Sequence, residues 1–255
     1  MTSIRTLNLV AAIVHLLVLI VIITLFVSLY HPSYNINTST YMLTSKTVEN
    51  SPEEIISLKV VQNMEYILPG LIITFVFITV VFHFIYFGLD KIYKQMMNNE
   101  NNYIRWLEYA LSASVMLIVI GISVGEKSFK IMVCTLFINI VVMFLGDLIE
   151  KNIKKSDRST AIKLTTVAWI LYSLIWISLT ASFAETVKNN DSTPSFVPAV
   201  FVTMFVLFSS FGVVQLYQLI HPNTPYVRIE ITYIILSLVS KVLLSLLVSI
   251  GIVAR

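Results

Sequence analysis

Charged residues are scarce in this chain of 255 residues. Asp, Glu, Lys and Arg make up 12% of the sequence, about half of the roughly 25% in an average soluble domain. Hydrophobic residues make up 57% and the mean hydropathy is +0.85, so polar residues are too few to cover a water-soluble core. This composition excludes a soluble enzyme and a disordered chain, and it favours a protein that spans a lipid bilayer.

Cysteine is also nearly absent, since Cys134 is the only one. A single cysteine forms no intramolecular disulfide and no cysteine-based metal cluster, which excludes a disulfide scaffold. The histidines lack the close spacing of a metal site, so we expect no metal. The net charge of +3 is small and the basic residues are dispersed, which gives no support to nucleic-acid binding.

The sequence contains seven apolar runs, and each is long enough for a helix that crosses a bilayer. They exceed the length of a strand and lack period-2 alternation, which favours helices over a β-barrel. The predicted fold is therefore an all-α membrane protein, a seven-transmembrane-helix bundle that forms one domain over residues 1–255. The predicted spans are 7–30, 66–89, 104–124, 129–149, 162–184, 197–220 and 229–253. The polar segment 32–64 could hold a hairpin or a surface helix.

Lysines and arginines near the span ends predict the orientation. With the N-terminus in the cytoplasm, about ten of them flank the inner side and about six the outer side. Because cytoplasmic loops are enriched in Lys and Arg, this bias predicts a cytoplasmic N-terminus and an outer C-terminus. We expect an integral protein of the plasma membrane.

One lysine, Lys241, lies near the middle of the seventh run, about a dozen residues from either end. At 1.5 Å per residue this is roughly 18 Å from either interface, beyond the reach of roughly 6 Å that a lysine stem offers. Such a residue needs a partner or a function. It is either half of a structural ion pair or a nucleophilic amine that forms a Schiff base.

Glu108 is the predicted partner of Lys241, because it is the only acid clearly inside a run. Its depth is roughly 7 Å below the cytoplasmic edge, and Lys241 leans toward it because side chains tilt toward the N-terminus of their helix. Arg105 precedes Glu108 by three residues, and we expect it to stabilise the glutamate anion. The alternative for Arg105 is an ordinary interface arginine.

Two histidines, His15 and His83, are predicted at a similar depth, roughly 8–12 Å below the same edge. Ser237 lies one turn from Lys241 on the same helical face. Each histidine alone could be a structural residue, but together with Glu108 and Lys241 they predict one polar, hydrated cavity in the inner half.

Apolar and aromatic side chains could line a pocket beyond this cavity, although ordinary packing also accounts for each one. They are Asn139, Met143, Trp169, Trp176, Phe201, Phe205, Phe208 and Phe211.

Seven helices with a central lysine in the last one resemble the rhodopsins, in which retinal is linked to that lysine as a protonated Schiff base. The third-span segment 105–116 (RWLEYALSASVM) and the segment 235–241 (ILSLVSK) resemble the heliorhodopsins more closely. Shorter matches lie at 15–17, 82–84 and 214–215, so the resemblance extends over most of the chain.

The resemblance implies all-trans retinal bound covalently to Lys241, with Glu108 as its counterion and His15 and His83 in the Schiff-base cavity. It also implies a homodimer in the lipid bilayer and an N-terminus inside, the orientation that the Lys and Arg count predicts independently. The third-span segment adds three residues to the expected retinal pocket. These are Ser112, Ala113 and Met116.

Two positions argue against an efficient proton pump. Pumping rhodopsins have an aspartate four residues before the lysine, where this chain has Ser237, and a donor carboxylate about three turns beyond the counterion, where it has Val119. We therefore predict a light sensor with a slow photocycle and a conformational output, and not an enzyme.

The alternative function is light-gated passive proton transport. Glu65, Glu126 and Glu185 lie near outer span ends and could form the mouth of a proton path, or they could be solvated helix-end acids. A chemically sensed seven-helix receptor would have an outer N-terminus and Asp-Arg-Tyr or Asn-Pro-x-x-Tyr motifs, which are missing. A lipid-acting enzyme would need a nucleophile or metal motif, and none supports it.

Overall fold

The computed structural model of the chain describes residues 2–30, 37–45, 55–63, 67–189 and 193–254. Its elements, in chain order, are α1 (Thr2–Leu29), β1 (Asn37–Ser45), β2 (Ile55–Asn63), α2 (Ile67–Gly88), α3 (Asp90–Asn98), α4 (Tyr103–Ser123), α5 (Phe129–Lys154), α6 (Arg158–Asn189), α7 (Phe196–Ile220) and α8 (Tyr226–Val253).

The described part of the chain contains seven helices that are long and apolar enough to cross a membrane, which confirms the predicted seven-helix bundle. Several helices continue past the apolar runs, because helical hydrogen bonding does not stop where hydrophobicity does. Side chains mark some of the starts: Asn102 Oδ1 accepts from Arg105 N at 3.0 Å before α4, and Ser128 Oγ accepts from Ile131 N at 3.4 Å before α5. Such N-caps satisfy backbone donors that a helix leaves unpaired.

The long polar segment after α1 contains a β-hairpin. β1 and β2 are antiparallel, with a register from Asn37 opposite Asn63 to Ser45 opposite Ile55. Of the two structures that the sequence left open for this segment, the described residues form the hairpin.

α3 was not predicted. It is amphipathic, because Tyr93, Met96 and Met97 are buried while Lys91 and Lys94 are exposed. The three buried residues have the i, i+3, i+4 spacing of one helical face, and they pack in a cluster with parts of α1, α2 and α8. α3 therefore lies against one end of the bundle.

The helices close into a ring in which α1 contacts both α2 and α8, and α4 packs against α2 and α5. Charged and apolar residues separate along the bundle axis. We call the half that holds Arg105, Glu108, Glu150 and Glu230 the charged half; it contains the starts of α1, α4 and α8 and the end of α2. The opposite, apolar half has a core whose fully buried members include Ile72, Phe75, Leu117, Ile120 and Val248.

Candidate functional site

Lys241 and Glu108 form a buried ion pair at the centre of the bundle. Each side chain is 2% exposed, and Lys241 Nζ donates a hydrogen bond to Glu108 Oε1. The ring of Tyr109 has its centroid 5.2 Å from Nζ, which places a second favourable partner beside the ammonium. The structure therefore brings together the two residues that the sequence paired by depth.

Lys241 also lines a cavity bounded by α4, α5, α6, α7 and α8. The other lining residues are Trp106, Tyr109, Ala113, Met116, Asn139, Val142, Met143, Ala168, Trp169, Tyr172, Phe208, Ser209, Phe211, Gly212, Gln215 and Ser240. Most of them are apolar or aromatic, and polar lining residues are already engaged: Asn139 Nδ2 donates to Ser114 Oγ at 2.9 Å and Gln215 Nε2 to Gly146 O at 2.9 Å. A buried amine at the edge of a mainly apolar cavity fits an apolar ligand with one reactive end.

Seven of the eleven predicted pocket residues line this cavity, whereas Ser112, Trp176, Phe201 and Phe205 do not. Ser112 is fully buried one residue before Ala113, about 100° around the helix, because an α-helix has 3.6 residues per turn. Trp176 packs behind the cavity, with its ring centroid 5.1 Å from Phe205 and 6.1 Å from Phe208. Phe205 is 45% exposed on the outer surface of the bundle.

The predicted histidine pair is present in the charged half. The rings of His15 and His83 stack with centroids 5.4 Å apart, and both residues are buried. His15 Nδ1 lies 2.8 Å from the carbonyl oxygen of Ala11. Because a carbonyl only accepts, Nδ1 of His15 carries the proton and donates it.

The protonation of His83 follows from Asn8. The Asn8 amide nitrogen donates to the Ile4 carbonyl at 3.2 Å, which fixes the orientation of the amide and turns Oδ1 toward His83. Since Oδ1 only accepts, His83 Nδ1 donates to it at 3.0 Å. Neither histidine has a described hydrogen-bond partner for Nε2, so the remaining lone pair of each ring is available to accept a proton.

Ser237 is buried one turn before Lys241, and its hydroxyl also lacks a partner among the described residues. Buried polar atoms of this kind are usually hydrogen-bonded to internal water. The histidine Nε2 atoms and the Ser237 hydroxyl are therefore consistent with the hydrated cavity that the sequence predicted.

Arg105 does not contact Glu108, and the prediction that it stabilises this glutamate is wrong. The buried guanidinium donates to Glu150 Oε1 at 2.5 Å and to Glu230 Oε2. Arg105 lies nearly one turn closer to the start of α4, and long side chains on a helix point toward its N-terminus. At that level the end of α5 and the start of α8 supply the two carboxylates.

Glu150 and Glu230 are the functional-site candidates that sequence reasoning missed, and the interpretation of Glu108 as the only acid inside a span is wrong. Both lie within one turn of the ends of their predicted runs, yet they are 0% and 2% exposed. A signal existed for Glu230, because Tyr226 and Tyr233 lie at i−4 and i+3 and mark its face as buried. Additional donors satisfy the carboxylates: Asn102 Nδ2 to Glu230 at 2.7 Å and Trp106 Nε1 to Glu150 at 3.0 Å.

The acids at the other end of the bundle are not solvated as a group. Glu126 is 8% exposed; its carboxylate accepts from the Ser128 backbone N–H at 2.6 Å and from the Ser182 hydroxyl at 2.6 Å. Glu185 is exposed, and Glu65 lies outside the described residues. No group of three His, Cys, Asp or Glu side chains in the described ranges could hold a metal ion.

Comparison with protein families gives one finding for nearly the whole chain. The heliorhodopsin family model matches residues 4–253. No curated protein matches the chain.

Proposed function

The chain belongs to the heliorhodopsin family, and from this premise we propose that it is a photoreceptor in which all-trans retinal is bound covalently to Lys241, with Glu108 as the counterion. Membership of the family makes it a light-sensing retinal protein of the membrane rather than a classical enzyme. The observation that supports retinal on Lys241 and Glu108 as its counterion is the buried Lys241–Glu108 pair at the edge of an aromatic cavity.

Lys241 has the properties that the covalent linkage requires. A primary amine condenses with an aldehyde to give a C=N bond and one water molecule, and a buried amine beside an apolar cavity is suited to this chemistry. Linked in this way as a protonated Schiff base, retinal would supply the absorption of visible light and a change of double-bond geometry. The aromatic residues Trp169, Phe208 and Phe211 would enclose its polyene.

Glu108 would keep the nitrogen of Lys241 positively charged. An uncompensated charge in a low-dielectric interior costs several kcal/mol, and Glu108 is the carboxylate in contact with this nitrogen. The pairing would also set the colour of the protein, because a nearby negative charge alters the energy needed to shift charge away from the nitrogen.

His15 and His83 would receive a proton when light weakens the ion pair. Each ring holds its Nδ1 proton in a fixed hydrogen bond and keeps Nε2 unpartnered among the described residues. Either Nε2 can therefore hold a proton inside the protein and return it later, which suits a slow photocycle.

We propose that the protein does not pump protons efficiently. Ser237 stands where a pump has an acid, and Val119 and Ile120, fully buried beyond Glu108, are apolar. Because the apolar half separates Glu108 from Glu126, a proton released near Lys241 meets no chain of acids leading to the far end among the residues that the structure describes. We infer a conformational output.

The proposed setting is a homodimer in the lipid bilayer of the plasma membrane, with each chain as one domain over residues 1–255. The N-terminus is inside and the C-terminus outside. This orientation rests on the excess of Lys and Arg at the inner span ends, and it places the charged half on the cytoplasmic side.

Passive proton transport under illumination is the second candidate, and the buried Glu126 favours it most, because a carboxylate held by Ser182 could serve as an outer proton site. Photocurrents in voltage-clamped cells distinguish the two functions. We expect no current at any voltage or proton gradient; a light-dependent current that reverses with the proton gradient would establish transport instead.

The test of the proposal is expression with added all-trans retinal, followed by an absorption spectrum of the purified protein. We expect a visible absorption band in the unsubstituted chain. Material that stays colourless after reconstitution would contradict the proposed chromophore.

A further inference from the structure

A chain of hydrogen bonds leads from the histidine pair to α3 and ends in the Arg105 cluster. His83 Nδ1 donates to Asn8 Oδ1 at 3.0 Å, and Asn8 Nδ2 donates to the Tyr93 hydroxyl at 3.1 Å. Tyr93 in turn donates to Glu230 Oε1 at 3.0 Å. The chain crosses four helices, α2, α1, α3 and α8, and every donor in it points away from His83.

Tyr93 is the link that belongs to α3. Its side chain is 4% exposed, and its hydroxyl accepts one hydrogen bond and donates another. Burial and the neighbouring Glu230 raise the pKa of Tyr93 well above its ordinary value. The phenol therefore stays protonated at physiological pH and remains a donor to Glu230.

α3 is otherwise attached to the bundle by apolar packing. Its buried face consists of Tyr93, Met96 and Met97, and methionine side chains adapt easily to a changed surface. Among the residues of α3, all of which the structure describes, Tyr93 alone has a side-chain hydrogen bond to another helix. This hydroxyl is therefore the polar side-chain link between α3 and the other helices.

We propose that Tyr93 transmits the light-induced change from the histidine pair to α3, and that α3 is the element through which the receptor gives its output. The inference rests on the proposed function, in which light delivers a proton to the histidines. It adds the route by which that proton alters the protein surface.

The direction of the hydrogen bonds predicts whether light holds α3 more or less tightly against the bundle. A proton on His83 Nε2 makes Nδ1–H a charged donor, and charge-assisted hydrogen bonds are roughly twice as strong as neutral ones. Polarisation then strengthens each following link, because hydrogen bonds in a chain reinforce one another. Illumination should therefore hold α3 more tightly against the bundle.

The groups that surround His83 are consistent with its gaining a proton in light. They are His15 stacked on its ring, Tyr86 at 6.0 Å between ring centroids, and Lys241, whose charge acts on His83 and is balanced by Glu108. Loss of the proton from the nitrogen of Lys241 would remove a repelling charge as His83 gains one. The cluster then carries the same total charge before and after.

The experiment places a nitroxide spin label on the exposed face of α3 in the full-length, retinal-loaded protein. Cys134 is exposed and is first replaced by Cys134→Ser, so that Lys91→Cys carries the only label. We expect the label to become less mobile in light and to recover in the dark together with the visible absorbance. Hydrogen exchange of the unlabelled protein should show several-fold slower exchange of the α3 amides in light.

Tyr93→Phe is the decisive variant, because it keeps the ring among the methionines and removes only the hydroxyl. We expect it to retain the visible band and to lose the light response of α3 in both measurements. The matched control is Tyr103→Phe, which removes the hydroxyl of a tyrosine that is 50% exposed at the start of α4; its α3 response should equal that of the unsubstituted protein.

The outcomes separate this inference from the proposed function. A coloured, photocycling protein in which α3 does not respond, becomes more mobile in light, or responds equally in Tyr93→Phe overturns the role of Tyr93 alone. A protein that never acquires colour overturns the proposed function, and this inference with it.

Discussion

Two buried cations, Lys241 and Arg105, lie in the same half of the bundle but are bound very differently. Lys241 has one carboxylate partner, Glu108, and opens onto a cavity. Arg105 binds two carboxylates, Glu150 and Glu230, and those carboxylates receive further hydrogen bonds from Asn102, Trp106 and Tyr93.

The difference separates a site that can change from one that holds its shape. A buried polar network with many mutual hydrogen bonds is rigid, and the loss of one member leaves its partners unpaired in a low-dielectric interior. A single ion pair beside a cavity can be weakened by a change in one ligand without leaving many other groups unpaired. We infer that the Lys241 pair responds to light, while the Arg105 cluster joins α4, α5 and α8.

Replacement of Lys241 should have the largest effect. Lys241→Ala removes the amine, and Lys241→Arg keeps a charge without an amine that condenses with an aldehyde. Both should give helical protein with complete loss of the visible band, measured by circular dichroism and absorption after retinal addition. Lys94→Ala removes an exposed lysine on α3 and should remain coloured. Visible absorbance that survives in either Lys241 variant would break the assignment.

Arg105→Gln should have the next largest effect, on stability rather than on colour. Removing one partner of a buried ion pair typically costs about 3–5 kcal/mol of folding free energy. In this variant Glu150 and Glu230 would stay buried without their cation. Thermal denaturation in detergent should show a lower Tm, and the protein that folds should keep its absorption maximum. Glu150→Gln in the Arg105→Gln background should recover part of the loss. A large spectral shift in Arg105→Gln would mean that Arg105 acts on the Lys241 pair after all.

Glu108→Gln should have the converse effect, on colour more than on stability. Without the carboxylate, the nitrogen of Lys241 loses its proton more readily as the pH rises. The visible band should therefore disappear at a lower pH than in the unsubstituted protein, by about one pH unit for each 1.4 kcal/mol of lost pairing. The absorption maximum should also shift. Glu126→Gln, at a buried acid in the other half of the bundle, should change neither property. An unchanged pH titration of Glu108→Gln would remove Glu108 as the main counterion.

The exposed pair of Asp90 and Lys94 should have the smallest effect. The hydrogen bond from Lys94, at 2.5 Å, lowers the pKa of the Asp90 carboxyl, so the pair favours the folded state above the ordinary Asp pKa and ceases to do so as the pH falls through the lowered value. Solvent screens such pairs strongly. Lys94→Ala should therefore leave the Tm at neutral pH within the error of measurement. A loss comparable to that of Arg105→Gln would contradict the contrast between exposed and buried pairs.

The features predicted from the sequence are those that depend on length and depth along a helix. Seven apolar runs predict seven spans because each must cross hydrocarbon, and depth alone brings Lys241 near Glu108. The partners of Arg105 could not be found in this way, because they depend on which helix ends converge around a long side chain. Glu150 lies at a span end, where the sequence does not distinguish an interface acid from a buried one, and for Glu230 only the flanking Tyr226 and Tyr233 indicated burial.

The rotation of each helix about its own axis also could not be predicted from the sequence. Ala113 and Ser112 are adjacent, yet only Ala113 lines the cavity, and Trp176 lies behind Phe208 rather than beside it. α3 escaped prediction because nine residues that include charges resemble a loop more than a span. Its buried face depends on the start of α1 and the end of α2, which pack on it, and the nine residues alone do not reveal these contacts.

The most direct test of the central claim is to locate the bond between retinal and the chain. The purified protein, loaded with all-trans retinal, is reduced with borohydride, which converts the C=N bond to a stable amine, and its peptides are analysed by mass spectrometry. The account predicts a retinyl group on the peptide that contains Lys241 and on no other lysine. A retinyl group on a different lysine, or none on a protein that has bound retinal, would contradict it.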